Sequence, residues 1–491
     1  MRLPTGETTS EVGPPKLESV PPASARARFW RWAAVIGIGL AIAAIPPPEG
    51  ISADSWNLLA IFVATVAGLT LQPLPGGAMV LLGVGASVIL GVQPIATALS
   101  GYGDPIVWLV LAAFFMSRGM IKTGLGRRIA FLFIRSLGKR SLGLGFALTL
   151  TEFVLASFIP SNAARSGGII FPIAKSLATA YDSQPGPTAG RLGAFLMIFL
   201  YQCCVVNCAI FLTGQAANAL IASFASKTAG VEISYGRWFV GGVVPGLLSL
   251  LVVGLLVYRM SPPEVTHTPR APEIAQAELE QMGPISGSEL RMLLVFALVA
   301  ALWMTTALHG IHYAAVALMG IGVLLVSGVI DWEDVKSERG AWDVFIWYGG
   351  LVQLAGALAG TGLPEQFARS IAGFTTGWPW WEALVMLVLV YFYAHYAFAS
   401  ITAHATAMFI PFLAVMIAAG VPAGLAVLSL AYASNLMAGL THYGTTPGPI
   451  YFGAGYVTQG TWWRIGLIAS SATLVIWMTV GVLWWRFLGL W

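Results

Sequence analysis

PSNAARSGGIIFP, residues 160–172, sets an arginine beside two small polar side chains, Ser161 and Asn162, between runs that are almost entirely apolar. The rest of the chain makes that placement costly. Its 491 residues are 57% hydrophobic and only 9% charged, against about 25% charged in a soluble globular protein. So little charge cannot cover the surface of a water-soluble protein of this size. The apolar residues come in runs long enough to cross a bilayer, about 20 residues each. The composition therefore predicts an all-α, polytopic membrane protein whose surroundings are the lipid bilayer. In such a chain the net charge of +4 points to basic cytoplasmic loops and gives no sign of a nucleic-acid partner.

Eleven spans are expected, at 29–45, 55–72, 76–91, 106–120, 192–213, 238–258, 292–308, 313–330, 344–360, 423–440 and 465–485. Two further apolar segments, 142–178 and 380–418, are interrupted near their middles by small and polar residues. Each reads as a re-entrant hairpin whose tip stops partway through the membrane. Residues 118–140 carry Arg118, Lys122, Arg127, Arg128, Arg135, Lys139 and Arg140 with no acidic residue, a cytoplasmic signature. Arg26, Arg28 and Arg31 agree with a cytoplasmic start. A polar linker at 259–291, cytoplasmic by the crossing count, divides a first membrane half (29–258) from a second (292–491). Residues 1–28 read as a disordered polar tail, without the apolar core of a signal peptide and with acidic residues that a transit peptide avoids.

The two halves resemble each other. Thr123-Gly124-Leu125 precedes Ser161 by 38 residues, and Thr361-Gly362-Leu363 precedes Ser400 by 39. Counting from each serine, Ala164 matches Ala403, Arg165 matches His404, and Pro172 matches Pro411. Leu212-Thr213 matches Leu440-Thr441. The crossing count makes the repeats inverted. Inverted repeats with broken helices mark secondary transporters that bind at the midplane.

Irregular backbone inside a membrane is tolerated only where it is buried in protein or lines a watery cavity. A helix that starts at a hairpin tip presents free N–H groups and partial positive charge to an anion. Ser161 and Asn162 at one tip, and Ser400 and Thr402 at the other, add short polar side chains. Arg165 and a cationic His404 would add charge. Arg165 has a second reading, a structural ion pair with Glu152, but its repeat partner His404 favours an anion. Two broken helices complete the walls, one with Thr213, Gln215 and Asn218, the other with Thr441 and His442. His395 reads as a satisfied interior residue, and Cys203, Cys204 and Cys208 as small buried side chains. No metal or cofactor motif is present.

At these motifs the chain resembles the divalent anion/sodium symporter family, and within it the exchanger branch of bacterial citrate/succinate antiporters and plastid 2-oxoglutarate/malate translocators. The matching stretches are PSNAARSGGIIFPI (160–173), FLTGQAANAL (211–220), FASITAHA (398–405) and LTHYGTTPGPIYFGAGYV (440–457). The family pattern at a tip is Ser-Asn-Thr; here Ala163 replaces the threonine of the first tip, and the second lacks the asparagine. That departure puts sodium sites in doubt. The resemblance implies exchange of small di- or tricarboxylate anions by an elevator-like motion in a homodimer, in a bacterial plasma membrane. Amphipathic segments near 126–140 and 364–376 would be the arms. A sodium-coupled dicarboxylate or sulfate symporter is the alternative; an intramembrane enzyme or a channel finds no supporting motif.

Overall fold

The computed structural model describes residues 25–363, 366 and 377–491. The expected tail over 1–24 and, Gln366 apart, the expected arm at 364–376 lie outside the described residues. Ala25 to Arg28 are helical, so the first helix starts before the expected 29.

All eleven expected spans form helices. In chain order they begin with α1 (Ala25–Ala43), α2 (Ala53–Leu71), α3 (Gly76–Ile89) and α4 (Pro105–Thr123). Asp104 fixes the start of α4 by accepting from the Ile106 N–H, and Pro105 sits where its missing donor costs nothing. Gly124, at φ 77°, ends it, a conformation that only glycine adopts freely. The surface helix α5 (Leu125–Leu137) follows, then the first hairpin, α6 (Ser141–Ala156) and α7 (Phe171–Ala180), with a π-helical turn at Ala163–Ile170 between them. Next come α8 (Gly193–Ile210), α9 (Ala216–Ala229) and α10 (Tyr235–Met260). The linker is not merely polar chain: it carries α11 (Arg270–Met282).

The second half holds α12 (Gly287–Met304), α13 (Tyr313–Val326) and α14 (Arg339–Ala359). The second hairpin is α15 (Trp380–Tyr393) and α16 (Ile401–Ala418). Then follow α17 (Ala423–Leu436), α18 (Pro447–Gly453) and the long α19 (Gln459–Phe487). Among the described residues, nine helical stretches are long and apolar enough to cross a membrane, and three shorter apolar helices accompany them. The only sheet-like pairing among them is one isolated bridge, Arg140 with His267.

Burial locates the core. The window of α8 is 94% buried and that of Ala423–Leu440 is 89%, whereas α12 is 28% buried and α2 is 33%. The two broken helices are therefore wrapped by the others, and the low values belong to helices on the outside of the bundle.

Both ends of the first hairpin lie against the linker. The Ser141 N–H donates to Thr266 O, and the Ala271 N–H donates to the Tyr181 hydroxyl. Both ends of the second lie at the opposite face. There Gly420 packs on Trp380 and Trp380 meets Trp491. Between the faces runs α19. Its start adjoins Tyr456, which bonds Ser183 O, and its 29 residues span about 43 Å.

The breaks share a device. A Cβ on Gly214 would come within 2.4 Å of Cys208 O, and one on Gly444 within 2.4 Å of Ala438 O. The chain folds back on the residue six earlier at both breaks. Only glycine fits that approach.

Candidate functional site

The two hairpin tips and the two breaks meet around a cavity of about 720 Å³. Of the expected site residues, Ser161, Asn162, Gln215, Ser400 and Thr402 lie on its wall. Thr445, Thr446, Tyr443, Trp347, Gln72 and Asp343 also line it. At one end it reaches Gly340 and Asp343, at the start of α14. That is the face of the basic loop, because Lys122 there bonds Asp331 at 3.0 Å, eight residues before Arg339. At the same mouth Arg31 donates to Gln72 O.

Three helices start on the wall, and their first residues Ala163, Ala216, Ala217, Ile401 and Thr402 line it. First-turn N–H groups have no intrahelical acceptor. Ser161 Oγ accepts from the Ala164 N–H at 3.1 Å and Ser400 Oγ from the Ala403 N–H at 3.4 Å. These serines cap the helices and leave the earlier amides to the cavity. Asn162 Nδ2 donates to Thr445 Oγ1 at 2.8 Å, tying the first tip to the second break. Gln215 and Asn218 form an amide cluster with Asn435, whose Nδ2 donates to Asn218 Oδ1 at 2.8 Å. Asn435 was not singled out in sequence, although an amide inside an apolar span is itself a signal.

Arg165 is not on the wall. Its side chain is fully buried behind the first tip. Nη1 donates to Ile159 O at 2.6 Å and to Gly214 O at 2.9 Å, and Nη2 to Cys208 Sγ at 3.3 Å. Nε lies 3.6 Å from Glu152 Oε1. The guanidinium therefore fastens the first hairpin to the glycine of the first break, with Glu152 balancing its charge. Cys208, expected only as filler, is one of its acceptors.

His404 is likewise buried off the wall, and its Nδ1 lies 3.2 Å from His395 Nδ1. His395 Nε2 reaches Gly444 O at 3.0 Å. A carbonyl only accepts, so His395 Nε2 carries the hydrogen. In a neutral His395, Nδ1 then accepts and His404 Nδ1 donates. A second proton on His404 would sit on Nε2, an atom with no hydrogen-bond partner among the described residues, on a ring that packs against Tyr391 and Phe398. The expected cationic His404 facing an anion thus gives way to a neutral strut. Arg165 reaches Gly214, and His404 through His395 reaches Gly444.

The remaining expected residues serve the scaffold. Thr213 Oγ1 donates to Ala156 O at 3.1 Å. Asn218 Nδ2 donates to Cys208 O and Phe211 O. Thr441 is buried and its carbonyl accepts from the Tyr201 hydroxyl. His442 Nδ1 accepts from Trp463 Nε1 at 3.0 Å while its ring stacks on Phe452. None of these four, nor Arg165 or His404, lines the cavity. No cluster of three His, Cys, Asp or Glu positioned for a metal ion occurs among the described residues.

The arrangement can hold an anion by backbone donors and hydroxyls rather than by a side-chain cation. Comparison with known proteins adds to that. Residues 26–491 match the family model described as the sodium:sulfate symporter transmembrane region. The chain is 44% identical over 494 residues to dicarboxylate transporter 1, chloroplastic, of Arabidopsis thaliana, covering 99% of this chain and 89% of that one. It is 44% identical over 456 residues to the protein of the same name from Spinacia oleracea, covering 92% and 80%. It is 34% identical over 479 residues to the L-tartrate/succinate antiporter of Shigella sonnei, covering 93% and 98%. Among solved structures, the YdaH transporter of Alcanivorax borkumensis matches with a TM-score of 0.51 at 14% identity, covering 94% of this chain and 98% of that one; this likeness concerns the fold.

Proposed function

Since the chain belongs to the sodium:sulfate symporter family of membrane transporters, we propose that it exchanges dicarboxylate anions across the membrane by alternating access. The substrate class follows the names of the relatives, dicarboxylate transporters and a tartrate/succinate antiporter. The observation that carries the reading is the convergence of three helix starts and the hydroxyls of Ser161, Ser400, Thr402, Thr445 and Thr446 on one cavity.

A doubly charged carboxylate cannot cross the membrane midplane unaided. In this reading, the amides at Ala163, Ala216 and Ile401 take its oxygens, helped by the tip hydroxyls and the Gln215 amide. An empty site would carry those unsatisfied donors and their partial charges through the barrier. The loaded carrier moves and the empty one stalls, which makes exchange obligatory. Sodium is not required. Carbonyl oxygens of Ile159 and Gly214 that could ligate a cation are taken by Arg165, and that of Gly444 by His395.

The first hairpin then enters from the cytoplasm together with the linker, and the second from outside. The hairpins and breaks form the part that moves, in an elevator-like step within a homodimer. A bacterial plasma membrane fits the bacterial relative. Purified protein in proteoliposomes tests the reading. Labelled succinate should enter vesicles preloaded with unlabelled dicarboxylate far faster than empty ones, equally with sodium or with potassium as the only cation. Equal entry into loaded and empty vesicles rejects exchange, and uptake only in sodium restores the symporter alternative.

A further inference from the structure

Across from the tips, the cavity wall carries one charge, and its sign is that of the cargo. Asp343 is the only formally charged side chain among the described residues that line the cavity. It is exposed there, in the second turn of α14. It forms no ion pair among the described residues. Its carboxylate packs on Gly77, where a Cβ would lie 2.8 Å from Oδ1. Gly77 belongs to the first turn of α3, a helix start with no side-chain cap. The glycine leaves room for that carboxylate beside the start of α3.

We propose that Asp343 is a specificity-determining residue that discriminates against anions carrying a third charge. The reading rests on the dicarboxylate function proposed above. The helix starts at Ala163, Ala216 and Ile401 contribute roughly half an elementary charge each, so roughly +1.5 together. A dianion is nearly matched by that field. A trianion leaves about three times as much charge unmatched, and the Asp343 carboxylate repels that excess across the same cavity.

The test is competition against labelled succinate counterflow in proteoliposomes at alkaline pH, where citrate is the trianion. The readout is the ratio of the half-inhibitory concentrations of citrate and succinate. Asp343→Asn should lower that ratio by about threefold or more, while Asp343→Glu should leave it near the wild-type value. Gln72→Glu places a second carboxylate on the same wall and should raise the ratio. An unchanged ratio in Asp343→Asn overturns the proposal. If that variant does not fold, an unchanged ratio in Gln72→Glu does so instead. Absence of wild-type counterflow would reject the dicarboxylate function itself, a different result from counterflow with an unaltered ratio.

Discussion

Arg165 shows how far a one-dimensional position can carry a residue's role. The sequence offered two partners, an anion or Glu152. In the fold the guanidinium serves the protein: two backbone carbonyls, a thiol and the Glu152 carboxylate surround it. Removing one member of a fully buried ion pair strands the other charge, at a cost of about 3–5 kcal/mol. Arg165→Ala should therefore unfold at markedly lower temperature in detergent, beyond any loss of transport. Arg165→Ala combined with Glu152→Gln should recover part of that loss, because no charge is then left alone. Arg165→Lys should not restore the wild type, since an ammonium lacks the planar fork that reaches Ile159, Gly214 and Cys208 together. If the double variant melts no higher than Arg165→Ala, the carboxylate is not the balancing charge. Ser161, Asn162, Ser400 and Thr402 were legible as wall residues because a tip must expose its own polar groups. Residues four positions on were misplaced for a geometric reason. They lie one helical turn, about 5.4 Å, behind the tip, where the hairpin meets its broken helix. Spacing gives that register but not the direction in which a long side chain reaches.

At the level of elements, the hairpins could be read in advance because each apolar run is interrupted where its backbone has to turn. The breaks could be read from Gly214, Gly444 and Pro447. The linker was legible only as polar chain. Its helix α11 lies along α5, with Arg127 paired to Glu278 and Arg135 bonded to Gln276. Beyond its end, Arg128 holds Glu289 through Nε at 2.6 Å and Nη2 at 3.1 Å. It also donates to the carbonyls of Gly283 and Met282. Ser286 and Glu289 cap the start of α12 reciprocally. The pairings of α5 with the linker and with α12 join residues more than 140 positions apart, so no local pattern announces them. One guanidinium thus ties the surface helix of the first half to the first helix of the second. The pair is nearly enclosed, with side chains 11% and 4% exposed, so solvent screens it less than a surface bridge. Glu289→Gln should cost about 2 kcal/mol, the range for a charged hydrogen bond. Arg127→Ala, at a side chain 58% exposed, should cost under about 1 kcal/mol. Thermal unfolding of the two variants in detergent compares them, and equal losses would mean that α5 is not held through Arg128.

For the whole molecule, the placement of the hairpin ends and the mouth of the cavity belong together. The hairpin ends lie at opposite faces while their tips share one wall, so either face could in principle be given access to that wall. Among the described residues, the cavity reaches the face of Gly340, Asp343 and Gln72, where the basic loop also lies. Native thiols do not interfere with a test, because Cys203, Cys204 and Cys208 are all buried. Thr446 lines the cavity and is exposed. Thr446→Cys should therefore react with a membrane-impermeant maleimide applied from the basic-loop face, in inside-out vesicles if that face is cytoplasmic. Saturating succinate should slow the reaction by filling the cavity. Maleimide applied from the other face should react once substrate cycling begins and, under the proposed exchange, more slowly without substrate. Labelling from both faces at equal rates, indifferent to succinate, would describe an open pore and exclude alternating access. Labelling from the basic-loop face alone under all conditions would describe a binding protein that does not turn over. Only the substrate-dependent switch of faces fits a site of backbone donors that must be filled before it can move.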